Sequence, residues 1–225
     1  MKPKLTNHLI EFSNNSLISV RRQILEIVAV VCTALGKFVF MDFLNYRLPF
    51  VVFAVLGWGS YIFNRYLKEK GILKYWGFRT DNFKKTLKIM LPFIICAVLS
   101  FFVIGFYQGT IHVTWHILPL LITYPIWGSI QQFLTIGLIA GNLSHMKVNK
   151  AFVVMLTAVL FAVVHYPSPW LMIGTFVLAL FYGYVYLKVK NIYAMGICHG
   201  WLGALFYYTV VNQDPFQDIF MVYLV

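Results

Sequence analysis

The sequence predicts an all-α fold, a polytopic transmembrane helical bundle of about seven (six to eight) spans. Three observations predict it. Of the 225 residues, 60% are hydrophobic and only 11% charged, too few charges to cover a soluble surface of this size. Apolar runs bounded by charges, prolines and polar clusters recur near 23–41, 48–64, 87–107, 115–142, 150–166, 169–187 and 191–211, and crossing a bilayer takes about 20 such residues. Lysine and arginine, finally, recur in alternate connections between those runs.

The elements follow in order. Residues 1–22 form a cytoplasmic N-terminal arm, too long and polar for a typical signal peptide, so the first apolar run reads as an uncleaved anchor. One transmembrane domain covers 23–211, and 212–225 is a short tail. The fourth run is long enough to tilt, to kink at Pro119 and Pro125, or to be two segments, because proline lacks the N–H that continues a helical ladder. The arm carries Lys2, Lys4, Arg21 and Arg22, the stretch 65–88 carries eight basic residues, and Lys147, Lys150, Lys188 and Lys190 fall in later alternate loops. Of the 18 Lys and Arg residues only Lys37 and Arg47 lie elsewhere. That asymmetry places the N-terminus in the cytoplasm and accounts for the +11 charge with no nucleic acid partner. The cell (plasma) membrane of a prokaryote is the expected location. The stretch 65–88 mixes aromatics with bases and reads either as a solvated loop or as an amphipathic segment on anionic lipid. Trp115, Trp127, Tyr166 and Trp170 are expected near the outer interface. Cys32, Cys96 and Cys198 read as buried free thiols.

Polar side chains inside spans are the candidates for function. From Asn82 to Gln213 there is no Asp or Glu. Gln131 and Gln132, Thr135, His165 and His199 are the chief polar groups at depth. A buried amide without partners costs a few kcal/mol, so two adjacent glutamines require an explanation. Phe161 and His165 lie four residues apart on one helical face. His199 flanks a stripe of Gly196, Gly200, Gly203 and Ala204, small residues that let helices approach closely, so it should face protein. His112 and His116 have the i, i+4 spacing of a chelating pair. No Glu intervenes and no third ligand is near, so they read as interfacial histidines, and no metal or cofactor is expected.

Taken together these motifs resemble the CPBP family, the CAAX proteases and bacteriocin-processing enzymes, also known as the abortive-infection or type II CAAX prenyl endopeptidase family. The resemblance runs from about 77 to 208. The family's paired glutamates followed after three residues by arginine correspond to "QQFLTI", so Gln131 and Gln132 stand for the glutamates and Ile136 for the arginine. Phe-x-x-x-His is intact as Phe161 and His165. In His-x-x-x-Asn/Asp, His199 is present but Gly203 stands last. "GFR" at 77–79 and the run 176–200 are also similar to family text.

The resemblance implies a conical cavity within the membrane where a glutamate activates the water that attacks a peptide carbonyl, with no metal required. Gln131, Gln132, His165 and His199 are then the inherited catalytic positions, and Phe161, Thr135 and Gly203 the substrate-contacting ones. Glutamine orients a water but does not deprotonate it, and losing a general base costs about 10²–10⁴ in rate. A histidine could take over as base; otherwise Glu26, Asp42 or Asp214 would have to reach in from outside. An endopeptidase with altered catalytic residues, weakened or inactive, and a non-catalytic relative both fit. The second would bind a lipidated or membrane-embedded peptide or a partner membrane protein. A transporter subunit is the remote third reading, since no inverted repeat or charged midplane residue is evident.

Overall fold

The computed structural model describes residues 18–220; Lys2, Lys4 and the last five residues of the tail lie outside them. Helix α1 (Val20–Lys37) runs on as a π-helical segment, Phe38–Phe43, and is followed by α2 (Arg47–Lys68), α3 (Ile72–Trp76) and α4 (Phe83–Gln108). Helix α5 (Ile117–Gln132) continues unbroken through a π-helical stretch, Phe133–Ala140, into Gly141–His145. Then come α6 (Lys150–Val163), α7 (Pro169–Val189), α8 (Ile192–Phe206) with a π-helical end at Tyr207–Val211, and α9 (Pro215–Phe220). Each of the seven predicted runs is a helix, α3 and α9 are short additions, and the chain is an all-α membrane bundle. Among the described residues, six helices are long and apolar enough to cross a bilayer. The exception, α6, has 14 residues, about 21 Å at 1.5 Å per residue.

The fourth run is one helix, and its prolines explain its packing. Pro119 sits in the first turn, where no intrahelical N–H is required. Pro125 lies inside and frees the carbonyl one turn earlier, that of Leu121. Trp201 on α8 donates its indole N–H to this carbonyl at 3.0 Å. Close approach of α5 and α8 depends on glycine: a Cβ on Gly200 would stand 2.5 Å from the Pro125 nitrogen, and one on Gly128 would stand 2.8 Å from the Gly196 carbonyl oxygen. The predicted small-residue stripe is therefore in use at Gly196 and Gly200.

One end of the bundle gathers α1's start, α2's end, α3, α4's start, the α5–α6 turn, where His145 stacks on Tyr75, and the α7–α8 turn. Arg22 pairs with Glu69 at 2.8 Å, and Lys190 Nζ lies 3.1 Å from His145 Nε2. Among the described residues, every Lys and Arg except Lys37 and Arg47 belongs to segments at this end. The stretch 65–88 is neither of the two expected forms. Its α3 tucks into the bundle, burying Ile72 and Trp76, with Trp76 against Phe133 (5.1 Å between centroids). The "GFR" segment has a docking role. The Gly77 carbonyl accepts from Ile192 N at 2.8 Å, and Asn191 Nδ2 donates to Arg79 O at 2.8 Å and to Asn82 Oδ1 at 2.6 Å. Gly77 adopts φ +93° there, and a Cβ would crowd Tyr186 and Lys190.

Two expectations are corrected. Cys198 is buried, but Cys32 and Cys96 are exposed on outward faces of their helices, because an apolar helix at a bundle's rim turns apolar residues to lipid as well as to the core. Trp115 and Tyr166 are largely exposed as belt residues are, whereas Trp127 turns inward to a cavity.

Candidate functional site

The cavity, about 190 Å³, lies between α5, α7 and α8 and reaches out to the α1–α2 corner and α9. Three of the motif positions line it: Gln131 on α5, His199 on α8, and His165 in the turn after α6. His199 stands seven residues beyond Ile192, about 10 Å in from the basic end. Its Nε2–H donates to Gln131 Oε1 at 2.9 Å. That bond fixes the neutral tautomer and leaves Nδ1 as an acceptor, buried with no partner among the described residues. His165 is locked the opposite way, its Nδ1 2.7 Å from the Phe161 carbonyl oxygen one turn earlier, so Nε2 keeps the lone pair. Phe161 stands between the two imidazoles, edge-to-face with His165 (4.9 Å, 90°) and 5.5 Å from His199. Its own ring is buried, and its role is to hold both histidines in place.

Three of the four expected catalytic positions therefore meet at one cavity, and the fourth does not. Gln132 is fully buried, does not line the cavity, and has neither amide atom bonded among the described residues. Successive residues on a helix point about 100° apart, so one glutamine faces the cavity while its neighbour enters the core. Thr135 also lies off the cavity, its hydroxyl donating to the Gln131 carbonyl at 2.7 Å. Ile136, at the arginine position, is wholly buried in apolar core. Gly203 lines the cavity, and a Cβ there would meet only Tyr124, at 3.9 Å.

None of the outlying carboxylates is in the cavity wall. Glu26 accepts from Tyr61 Oη (2.5 Å) and Asn142 Nδ2 (2.7 Å). Asp42 pairs with Lys37 at 2.6 Å. Asp214 takes His116 Nδ1 at 2.6 Å and the Tyr208 hydroxyl at 2.7 Å, and so pins α9. The chelating geometry suggested for His112 is not formed with His116: His112 Nδ1 is 2.9 Å from the Thr110 carbonyl. Sequence reasoning missed Thr175 and Trp127, which also line the cavity. Thr175 bonds a carbonyl of its own helix, that of Leu171 at 2.7 Å, the habit of any buried threonine, so its position carried no signal.

The fold and this site define a multi-pass membrane protein with a polar cavity built by three motif positions on separate helices. Residues 110–205 match the family model "Rce1-like", type II CAAX prenyl endopeptidase Rce1-like. This is a match to the CPBP/CAAX protease family over a little under half of the chain, and the fold around it is that of a multi-pass membrane protein. The matched stretch contains all three motifs; "GFR" lies outside it. Comparison with curated proteins and with solved structures returned no match.

Proposed function

We propose that this chain binds a lipidated or membrane-embedded peptide in its cavity and that the family's peptidase reaction is weakened or lost. The observation that carries the reading is the Gln131–His199 bond at 2.9 Å in a cavity that no Asp or Glu among the described residues lines. An amide at the glutamate position holds a water or a peptide carbonyl but takes no proton, at a cost of about 10²–10⁴ in rate. Glycine at position 203 supplies no oxyanion donor, which costs about another 10²–10³.

A second reading, a histidine-dependent endopeptidase, is favoured by one feature, the unpartnered Nδ1 of His199, which has the lone pair a base requires. In the same reading the chain sits in the plasma membrane of a prokaryote with its N-terminus in the cytoplasm. This is supported by the basic residues at one end of the bundle.

The test is to reconstitute the full chain with farnesylated and unmodified peptides, beside Gln131→Glu and Gln131→Glu/Gly203→Asn. Binding without cleavage by the unaltered protein, and cleavage by the double variant, is the expected outcome. Cleavage by the unaltered protein that is abolished in His199→Ala overturns it in favour of the histidine reading.

A further inference from the structure

A second and larger cavity, about 1,020 Å³, runs between α1 and α2 and shares no residue with the first. It is a groove open to the membrane. Small residues form its walls, Ala29, Cys32 and Gly36 on α1 and Ala54 and Gly57 on α2, and a Cβ at Gly57 would meet nothing within 4 Å. The bundle side is closed by Trp58, which packs on Phe133 (6.2 Å) and donates its indole N–H to Thr33 at 3.2 Å. The flanking Leu25 and Phe53 are exposed, so the open side faces hydrocarbon. Such a volume is at the upper end of the range, about 300–1,000 Å³, for sites that enclose a small molecule.

The two ends differ. Phe40 and Phe50 stack at one, 6.3 Å apart. Arg22, Glu26 and Tyr61 form the other. There Glu26 is only 4% exposed and already takes two hydrogen bonds, while the Arg22 side chain is 43% exposed and has a single carboxylate partner, Glu69. Arg21, Lys68 and Lys70 are exposed beside it. The accessible charge at this mouth is cationic, above an apolar slot that runs along the helices.

We propose that the groove binds one anionic membrane lipid, an acyl chain lying between α1 and α2 and the phosphate of its head group at Arg22. Basic pockets between membrane helices recognise anionic head groups in this way, and the small residues on both walls leave room for the chain.

The test is native mass spectrometry of the full chain with equimolar phosphatidylglycerol and phosphatidylcholine. One phosphatidylglycerol should be retained in preference by about ten-fold, the size expected for one or two basic contacts. Arg22→Gln should remove the preference, and Gly57→Phe, which fills the slot, should remove retention of both lipids. A measurement that leaves the groove unaltered guards against misfolded variants. In a Cys96→Ser background, alkylation of Cys32 by N-ethylmaleimide should slow when phosphatidylglycerol is added and not when phosphatidylcholine is. Equal retention of the two lipids, a preference that survives both substitutions, or a dimer that Gly57→Phe disrupts (a protein helix as occupant) would each overturn the proposal.

Discussion

His199 and Gln131 are joined across the α5–α8 interface by a 2.9 Å hydrogen bond at the point where glycines bring these helices into contact. His199→Ala removes the bond and the ring that packs against Phe161. Hydrogen bonds between membrane helices are worth about 0.6–2 kcal/mol, so a loss of at least that size is expected in detergent unfolding. His199→Gln, which can still bond Gln131, should recover part of it.

Restoring the family's arginine should fail where restoring its glutamate succeeds. Ile136 is fully buried among apolar neighbours, and an arginine at the centre of a membrane helix costs about 2.5–3.5 kcal/mol. Ile136→Arg should lower the yield and the melting temperature of the purified protein. Gln131→Glu, whose side chain borders a cavity, should leave melting much less affected.

Asn191 fastens the segment before α4 to the turn before α8. Its amide nitrogen reaches Arg79 O and Asn82 Oδ1, and its oxygen caps α8 by accepting from Ala194 N at 2.9 Å. Losing a cap alone costs about 0.5–2 kcal/mol. Asn191→Ala should exceed that range, because it also removes the donor from the half-buried Asn82 Oδ1, and hydrogen exchange should quicken at the start of α8.

Two glycines of the stripe, three residues apart, should respond differently. Gly200→Val drives a Cβ to within 2.5 Å of Pro125 N and should destabilise by about 1–3 kcal/mol or more, as overpacking does. Gly203→Ala meets only a ring carbon at 3.9 Å and should be neutral or stabilising by up to about 1 kcal/mol through helix propensity. Thermal melting of both in the same detergent checks the contrast.

The attachment of α9 should depend on acid. Burial pushes the Asp214 carboxyl up, but hydrogen bonds from Tyr208, His116 and the Gln217 N–H outweigh it and hold it below the ordinary carboxylate value. A depressed folded-state pKa adds stability that is fully present above the unfolded value, about 3.9, and is lost as pH falls through the folded one. Proteolysis or exchange at 212–220 should therefore rise below about pH 4, and Asp214→Asn should show the raised rate at neutral pH.

Much of this arrangement was legible in the sequence. Apolar run length located seven helices, and the placement of lysine and arginine located the end where α1, α2, α4, α7 and α8 converge. Motif spacing singled out Gln131, His165 and His199. The failures have a common cause, which is that letters adjacent in sequence diverge in space. Gln132 differs from Gln131 by one step of helical rotation, and nothing in "QQ" says which of the two faces the cavity. The same ambiguity hid the outward-facing Cys32 and Cys96, whose helices are apolar on every side. α3 was illegible for another reason: five residues are too few for a period, and Trp76 is held by distant partners, Phe133 and Tyr186.

The brevity of α6 has a consequence for the membrane itself. At about 21 Å it falls well short of a hydrocarbon core near 30 Å, so one of its two ends, the His165 corner or the turn before Lys150, is left at hydrocarbon depth. A polar corner at that depth needs protein to satisfy its backbone, and Lys37 does so by donating to the Tyr166 carbonyl at 3.1 Å. On the lipid side a short hydrophobic element is one that a bilayer accommodates by thinning around it. A bilayer thinned beside the cavity would bring the head-group layer, and any peptide tethered to it, nearer to His165 and His199 than a flat membrane would.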